Sequence, residues 1–318
     1  METLLRNPLR AASVMYISAN GLEKVAVPRC SPDSLRSQFS GTRLPDDRER
    51  IVCPQASDSH CVSSEFNLSL NRYSNRIDGR VVTQTFMHVL DNVIWQALTT
   101  RQAQFSECFG QARRFVREVT SLTAFEEESP QGYAALAGLV GDGGTAALFL
   151  ASEYQARTGW ELIAGAPLLE MVCENGTGHE QLSAPDPEVI RLDPADSPEM
   201  VELATLTKPG PFSVRTHELG TYMGIRHHGK LVAMAGERLK VPGYTEVSAV
   251  CTHPEHLGKG YARVLITEIM RGIADRGEIP FLHVRRDNAR AVALYQRLGF
   301  RTRTVPHYAV LRRLKHIL

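Results

Sequence analysis

The most regular pattern of hydrophobic and polar residues lies between residues 188 and 318. Apolar or alternating runs predict strands at EVIRLD, YMGIRHHGKLVAMAGERLKV, TEVSAVCTH, IPFLHVRR and VPHYAVLRR, the second forming a hairpin around His228-Gly229. Apolar residues at helical spacing predict helices at DSPEMVELATLT, YARVLITEIMRGIADRG and DNARAVALYQRLG, with one further turn in KPGPFSVRTHELG. The order β-α-(α)-β-β-β-α-β-α-β indicates an α/β (α+β) fold with a mixed central sheet.

A less regular stretch precedes it, at residues 85–175. LDNVIWQALTTRQAQF and SPQGYAALAGLVG predict helices, whereas RRFVREV, GTAALFLAS and WELIAGAPLLEMVCE predict strands. We interpret this stretch as a small α/β domain, joined by a linker at residues 176–187 to the domain at 188–318. Residues 1–80 mix Ser, Arg, Asp and Pro without a sustained period, which is typical of a disordered tail.

Composition excludes several classes of protein. Lys and Arg (36) almost balance Asp and Glu (35), so the net charge of +1 gives no argument for a nucleic-acid partner. No apolar run approaches the ~18 residues of a membrane span. The six cysteines contain no Cys-x-x-Cys pair, which argues against a zinc site or a disulfide framework and favours a reducing compartment. We expect a cytoplasmic protein, or an organellar one if METLLRNPLRAASVMYIS is a transit peptide.

Candidate chemistry begins at the turn between the strand TEVSAVCTH and the helix that follows. The first N–H groups of a helix lack partners and carry partial positive charge, so they attract anions such as phosphate. Gly258 and Gly260 would let a phosphate approach the backbone, and Lys259 adds a cation. The stretch is not a nucleotide P-loop, and Arg263 replaces the third glycine of a dinucleotide fingerprint. An ordinary glycine-rich turn is the alternative.

Two motifs carry a resemblance to a known family. The turn reads Leu257, Gly258, Lys259, Gly260, Tyr261, Ala262 and resembles motif A of the GNAT acyltransferases, Arg/Gln-x-x-Gly-x-Gly/Ala. Leu257 departs from the Arg or Gln of the first motif position. FLHVRRDNARAVALYQRLGF resembles the second signature, Asn-x-x-Ala-x-x-Leu-Tyr-x-x-x-Gly-Phe, at Asn288, Ala291, Leu294, Tyr295, Gly299 and Phe300. The sequence around the two motifs is most similar to the glycine N-acyltransferase-like branch of the family. The resemblance implies a GNAT-type sheet, with residues 85–175 as a degenerate GNAT-like half.

The resemblance also implies acetyl-CoA as cosubstrate, with its pyrophosphate on the amides of the glycine turn. The strand at 244–252 should separate from IPFLHV, which would leave the backbone of Val250, Cys251 and Thr252 free for the pantetheine arm. An N–H near Val250 or Cys251 would polarise the thioester carbonyl. Asn288 would hydrogen-bond the cofactor and Tyr295 would act as general acid. A helix cap and a core tyrosine are the alternatives for these two residues.

Glu246 lies at the position where some GNAT enzymes carry their general base. Alternation predicts that it shares a face with Ser248, Val250 and Thr252. On an otherwise apolar strand its pKa should be raised, so it could accept a proton. Ser248 could relay water. An exposed or ion-paired glutamate is the alternative.

The acceptor site is the least specified part. KPGPFSVRTHELGTY should form one wall, with Arg215, His217 and Glu218 as candidate substrate contacts or, alternatively, as a solvated loop. His253 and His256 lack a further ligand at metal spacing, so we expect no metal. The sequence thus predicts N-acetylation of a small-molecule or peptide amine, without nucleic acid or membrane. A catalytically inactive CoA-binding regulatory module is the alternative. No motif specifies the acceptor, the acyl length or the oligomeric state.

Overall fold

The computed structural model describes residues 88–174 and 187–315, together with the backbone of five strands nearer the N-terminus. The strands β1 (Ser13–Ser18) and β2 (Gly21–Ala26) pair antiparallel. A separate unit, Pro28–His88, contains the antiparallel sheet β3-β4-β5, formed by Glu65–Asn67, Arg72–Ile77 and Arg80–Thr85. The tail predicted at residues 1–80 lies outside the described residues apart from these strands, and it stays a prediction.

The stretch at 88–174 contains two helices and five strands. Helix α1 (Val93–Thr99) buries every residue, and α2 (Pro130–Val140) starts with Ser129 accepting a hydrogen bond from the Gly132 N–H. A small antiparallel sheet is formed by β6 (Ser106–Phe109), β7 (Ala112–Phe115) and β8 (Thr123–Phe125). Two longer strands follow, β9 (Thr145–Leu150) and β10 (Trp160–Val172).

The stretch at 187–315 follows the element order expected from the sequence. Its strands are β11 (Ile190–Arg191), β12 (Tyr222–His227), β13 (Lys230–Val241), β14 (Tyr244–Thr252), β15 (Ile279–Arg285), β16 (Arg301–Thr304) and β17 (His307–Arg313). Its helices are α3 (Ser197–Thr207), α4 (Tyr261–Ala274) and α5 (Ala289–Arg297), with one 3-10 turn at Thr216–Leu219. The short β16 was not expected. The mixed α/β fold class is confirmed.

The main sheet has nine strands in the order β11-β12-β13-β14-β15-β10-β17-β9, with β16 paired to β10. Every pairing in it is antiparallel except β14 with β15. The long β10 joins the two stretches, because its first part pairs with β17 and its last part with β15. The boundary expected at 176–187 therefore does not divide the sheet, and Val89–Leu318 falls in one compact unit. The degenerate GNAT-like half stays a prediction.

Helices cover the sheet where the candidate site lies. The apolar stripe of α4 is fully buried against β13, β14 and β15, as its helical spacing predicted; it includes Leu265, Ile266, Ile269 and Ile273. Helix α3 packs on β13 and β14 through Met200 and Leu203. These contacts hold the middle of β14 in a fixed position between helices.

Two findings bear on the expectations from composition. Cys108 is disulfide-bonded, contrary to the expectation of no disulfides, while Cys173 and Cys251 are free and buried. Among the residues that the structure describes, no helix combines the length and the apolar character needed to cross a membrane. The cellular compartment stays a prediction.

Candidate active site

The two central strands of the sheet separate partway along their length. The parallel pairing of β14 with β15 covers only Tyr244–Glu246 and Ile279–Phe281. Beyond Glu246 the β14 backbone has no strand partner on that side, although β14 continues to Thr252. The separation expected from the sequence is confirmed. It leaves N–H and C=O groups of β14 facing the gap, where an extended ligand can pair with them.

A β-bulge sits in β14 at the start of this gap. Between the pairs Gly236–Ser248 and Met234–Cys251, β14 contains one residue more than β13, and Ala249 adopts a positive φ of 52°. Val247 and Val250 consequently pack in one apolar cluster, whereas Ala249 and Cys251 pack in another. The expected shared face of Glu246, Ser248, Val250 and Thr252 is therefore wrong, because the extra residue breaks the alternation of side chains.

A cavity of about 650 Å³ opens along the gap. Its walls come from β14, the glycine turn, α5 and the loop after α3. The lining includes Thr207 to Pro211, Val247 to Thr252, His256 to Arg263, Asn288 and Tyr295, with Phe149, Ala166, Leu168, Arg238, His283 and Tyr308 on the remaining wall. Every residue that the sequence proposed for the cofactor lines this cavity, and so does Ser248. No Asp or Glu side chain of the described residues does.

The glycine turn at one end of the cavity presents a row of free amides. Gly258 and Gly260 have positive φ values of 81° and 80°, and α4 begins directly after them. Within the described structure, the N–H groups of residues 258–263 have no hydrogen-bond acceptor, since the first bond of the helix runs from Val264 N–H to the Gly260 carbonyl. Leu257 is 51% exposed. Free N–H donors at a helix N-terminus attract an anion.

Cationic side chains line the cavity at the glycine turn and on α5. Lys259 Nζ lies 3.2 Å from His256 Nδ1. Arg263, Arg290 and Arg297 line the cavity and form none of the ion pairs found among the described side chains. With no carboxylate of the described residues in the lining, the cavity is suited to a ligand that carries several negative charges.

Glu246 lies outside the cavity lining and is completely buried in an ion pair. Arg238 donates to both carboxylate oxygens, Nε to Oε2 at 2.8 Å and Nη2 to Oε1 at 2.7 Å. The Leu239 N–H also donates to Oε2, at 3.3 Å. Burial alone would raise the pKa of Glu246, but the charge and hydrogen bonds of Arg238, together with those of His283, lower it to about 2. The expected raised pKa is wrong.

A second β-bulge, in β13, explains why the sequence did not predict the ion pair between Arg238 and Glu246. Between Glu237 and Lys240, β13 has one residue more than the facing part of β14. The bulge places Arg238 and the Leu239 N–H opposite Glu246 on the neighbouring strand. An arginine eight residues earlier in the chain gives no sign of such a contact until the register of the two strands is known.

A buried histidine completes the floor of the cavity. His283 lies on β15 with its side chain 3% exposed, and its Nδ1 is 2.7 Å from Glu246 Oε1. Its Nε2 lies 3.4 Å from Glu170 Oε2 but makes no aligned hydrogen bond. Glu170 is in turn paired with Arg303. Sequence analysis missed His283, although a histidine within the apolar strand IPFLHVRR was a visible signal.

The two residues of the second motif lie on α5 at the cavity wall. Burial raises the pKa of the Tyr295 hydroxyl to about 12, and that hydroxyl has no hydrogen-bond partner among the described residues. Asn288 caps α5, with its Oδ1 accepting from the Ala291 N–H at 3.2 Å. The cap does not use the Asn288 Nδ2 group, which therefore remains available to a ligand in the cavity.

Comparison with known proteins agrees with this geometry. Residues 222–309 match the model of a family described as FR47-like protein. A crystal structure of a protein from Novosphingobium aromaticivorans, described as belonging to the GNAT family, is 36% identical; the match has a TM-score of 0.65 and covers 72% of this chain and all of that one. The chain belongs to the GNAT family. N-alpha-acetyltransferase RimI of Mycobacterium tuberculosis is 36% identical over 99 residues, which are 29% of this chain; the match spans 61% of that curated relative.

In this GNAT protein the candidate acceptor contacts lie away from the cavity. The exposed side chains of Arg215 and Glu218 pair with each other at the 3-10 turn, with Nε and Oε1 2.6 Å apart, and His217 Nδ1 lies 3.0 Å from the Val214 carbonyl. None of the three lines the cavity. The loop contributes a different part to the wall, Lys208 to Pro211.

The histidines beside the glycine turn do not form a metal centre. His227, His253 and His256 lie near one another, with the ring centroids of His227 and His256 4.8 Å apart. Across residues 88–174 and 187–315, no group of three His, Cys, Asp or Glu side chains is arranged to hold a metal ion.

Proposed function

We propose that this protein transfers an acetyl group from acetyl-CoA to a primary amine, by direct attack of the amine within a ternary complex. The observation that carries the proposal is the run of six free N–H groups at the glycine turn, which opens into a cavity beside separated strands. A pyrophosphate suits the free amides, and a chain of amides suits the free edge of β14.

The proposed cofactor lies along β14. Its pyrophosphate would accept hydrogen bonds from the turn, and the remaining phosphate charge would lie near Arg263, Arg290 and Arg297. The pantetheine arm would pair with the backbone of residues 250–252, beyond the point where β15 leaves β14. The thioester would then lie in the middle of the cavity, near the bulge.

Three groups would carry the chemistry. A backbone N–H at Val250 or Cys251 polarises the thioester carbonyl, which is the role of an oxyanion hole. Tyr295, whose hydroxyl has no hydrogen-bond partner among the described residues, protonates the departing thiolate. The amine proton leaves through a water molecule in the cavity, with Ser248 placed in the lining to hold that water.

Two similarities bear on the nature of the acceptor. The name of the curated relative, N-alpha-acetyltransferase, supports a peptide α-amine as acceptor. The similarity of the two motifs to the glycine N-acyltransferase-like branch supports a small amine, such as an amino acid, and also longer acyl groups. We therefore propose a panel of both acceptor types and of acyl-CoA chain lengths as the first test.

An inactive CoA-binding module is the second candidate function. Two observations favour it, the exposed Leu257 at the first position of the motif and the engagement of Glu246 in an ion pair. Calorimetric titration with acetyl-CoA, combined with a thiol-release assay over the amine panel, separates the two. Binding with amine-dependent thiol release supports a transferase. Binding without release for any amine supports the module, and absence of binding contradicts both.

A further inference from the structure

One part of the cavity lies outside the path proposed for the cofactor. We call it the acceptor end; it is lined by Arg238 on β13, Phe149 on β9, Tyr308 on β17 and Ala166 on β10. Arg238 pairs with Glu246, the last residue of β14 whose strand partner lies on β15, so the acceptor end lies where these two strands meet. From there β14 continues for six residues, roughly 20 Å of extended strand, before it reaches the glycine turn.

The aromatic ring of Phe149 lies at the centre of the acceptor end. Its centroid is 6.0 Å from the guanidinium carbon of Arg238, 6.1 Å from the ring of Tyr308 and 4.4 Å from the ring of His283. The register of the sheet places Tyr308 between Ala166 and Phe149, so these three side chains share one face. The acceptor end therefore combines an apolar patch with two polar groups, the Arg238 guanidinium and the Tyr308 hydroxyl.

Arg238 has one nitrogen without a partner. Its Nε and Nη2 donate to Glu246, at 2.8 and 2.7 Å. Its Nη1 has no hydrogen-bond acceptor among the described residues, and this atom is not fully buried. A Cβ built on Gly210, another residue of the cavity lining, would lie 3.9 Å from Nη1. The side chain of Arg238 is only 8% exposed, so Nη1 is the part of the guanidinium that faces the cavity.

The Tyr308 hydroxyl is a second donor of the same kind. It has no hydrogen-bond partner among the described residues and is not fully buried. Burial raises the pKa of Tyr308 and the nearby charge of Arg238 partly offsets this, so the hydroxyl stays protonated and able to donate. An alkyl chain, such as that of a longer acyl group, would cover both donors and leave them unpaired, which weakens binding.

Charge favours a carboxylate as the group that these donors hold. Lys208 also lines the cavity, whereas no Asp or Glu of the described residues does. Hydrogen bonds from a guanidinium to an ionised oxygen are stronger than those to a neutral oxygen. With a carboxylate on Nη1, Arg238 would bridge between that ligand and Glu246. Arg226 already bridges two acidic side chains in this way, each at 2.6 Å.

The distance to the proposed thioester limits the size of the ligand. Arg238 lies beside Glu246, and the bulge in β14 begins after Ser248, two residues or about 7 Å further along the strand. The thioester of the proposed complex lies near this bulge. A compact molecule that carries both a carboxylate and an amine can therefore reach the guanidinium with one group and the thioester with the other.

We propose that Arg238 and Tyr308 bind the carboxylate of the acceptor, and that the acceptor is a free amino acid whose α-amine receives the acetyl group. This inference rests on the proposed acetyl transfer, and it assigns a substrate class to the same site.

The experiment compares each amino acid with its own carboxamide, which keeps the amine and removes the carboxylate charge. Thiol release from acetyl-CoA is measured for glycine, leucine and phenylalanine and for their carboxamides. We expect kcat/KM to be at least tenfold higher for one or more of the free amino acids than for the matching carboxamide, as expected for one charge-assisted hydrogen bond. Equal or higher values for the carboxamides, or acetylation only of amines that lack a carboxylate, overturn the proposal.

The reactivity of the amine cannot produce this preference. A neighbouring carboxylate stabilises the ammonium form, so the amine of a carboxamide is neutral in a larger fraction of the molecules. Without recognition of the carboxylate, the carboxamide would be the better acceptor.

Two substitutions test the residues themselves. Tyr308→Phe removes one donor and leaves the pair of Arg238 with Glu246 intact, whereas Arg238→Lys keeps a positive charge beside Glu246 and lacks the guanidinium fork. Each should raise KM for the amino acid about tenfold or more, while kcat/KM for the carboxamide and the Kd for CoA stay within twofold of the wild type. Thermal melting checks that both fold, and Tyr308→Phe alone decides if Arg238→Lys does not.

Matched controls carry the same changes outside the cavity lining. Tyr222→Phe removes a buried hydroxyl without a partner among the described residues, and Arg303→Lys alters a guanidinium that pairs with the buried Glu170. Both should keep the wild-type ratio of kcat/KM between amino acid and carboxamide. The wild-type ratio in Tyr308→Phe and Arg238→Lys as well would overturn the proposal. A loss of CoA affinity in these two would also overturn it, because it would assign the donors to the cofactor.

Binding of the reaction product provides a readout that needs no activity. The N-acetyl derivatives of the three amino acids are titrated calorimetrically into protein with saturating CoA, beside the corresponding N-acetyl carboxamides. Binding of an acid at least tenfold tighter than its carboxamide, lost in Tyr308→Phe, supports the proposal; equal affinity, or no binding of any acid, contradicts it. Absence of thiol release with every amine would instead be a failure of the proposed function, so the two failures remain distinct.

Discussion

Gly260→Ala is the substitution that most cleanly separates cofactor binding from stability. Gly260 has a φ of 80°, and a Cβ built on it meets nothing within 4 Å. Gly243, in the turn between β13 and β14, has a φ of 78°, also meets nothing within 4 Å, and lies outside the cavity lining. Gly243→Ala is therefore a control with the same backbone strain and no part in the site.

The expected magnitudes follow from this match. An alanine in the left-handed region costs roughly 1–2 kcal/mol, so each variant should lose about that much stability. For a protein of this size the loss lowers Tm by roughly 2–8 °C. At Gly260 the methyl group also occupies the space that a phosphate needs in order to reach the free amides. Loss of a single charge-assisted hydrogen bond there, about 1.5–3 kcal/mol, weakens CoA binding by at least tenfold.

The assay is calorimetric titration of CoA at a temperature where both variants are fully folded, paired with thermal melting. We expect a similar decrease in Tm for the two variants and a weaker Kd for Gly260→Ala alone. Equal CoA affinity in Gly260→Ala and the wild type would refute the assignment of the glycine turn as the pyrophosphate site. If CoA binding were weakened equally in Gly260→Ala and Gly243→Ala, the weaker binding would be due to the loss of stability.

Three further predictions concern the remaining parts of the site. Tyr295→Phe should lower kcat by about 10²-fold without changing the CoA Kd, as measured by thiol release; Tyr222→Phe, which removes a buried hydroxyl without a partner, should leave kcat unchanged. The pKa of Glu246 is lowered to about 2, so its ionised carboxylate adds roughly 3 kcal/mol to the free energy of unfolding above about pH 4.5, and this contribution is lost as pH falls towards 2. Denaturant unfolding should therefore show that the free energy of unfolding falls less between these pH values in Glu246→Gln than in the wild type. Arg290→Gln should weaken CoA binding severalfold and reduce its dependence on salt, whereas Arg271→Gln, at an exposed ion pair with Glu268 outside the cavity, should not.

Features that are local in sequence could be predicted. The glycine turn, the helix that follows it and the second motif are each specified within about twenty residues, and the structure brings Gly258, Gly260, Asn288 and Tyr295 to one cavity. The separation of β14 from β15 followed from the resemblance to the family and is confirmed by where their pairing ends.

Features that depend on strand register could not be predicted. The pairing of Arg238 with Glu246 requires the bulge in β13, and the contact of His283 with Glu170 requires β10 to lie beside β15. Arg238 and Glu246 are eight positions apart in the chain and Glu170 and His283 are 113 apart, and no periodicity of a strand or helix connects either pair. The buried charges face one another only after the sheet forms. The sequence therefore predicted a raised pKa for Glu246, a carboxylate on an apolar strand, whereas the structure gives a lowered one.

The most direct test is a crystal structure of the wild-type protein with CoA. We predict that the pyrophosphate oxygens accept hydrogen bonds from the N–H groups of residues 258–263, and that the pantetheine arm pairs with residues 250–252. The sulfur should then lie beside the Tyr295 hydroxyl. CoA bound with its phosphates away from the glycine turn, or a cavity that stays empty at saturating CoA, would contradict the assignment of this site.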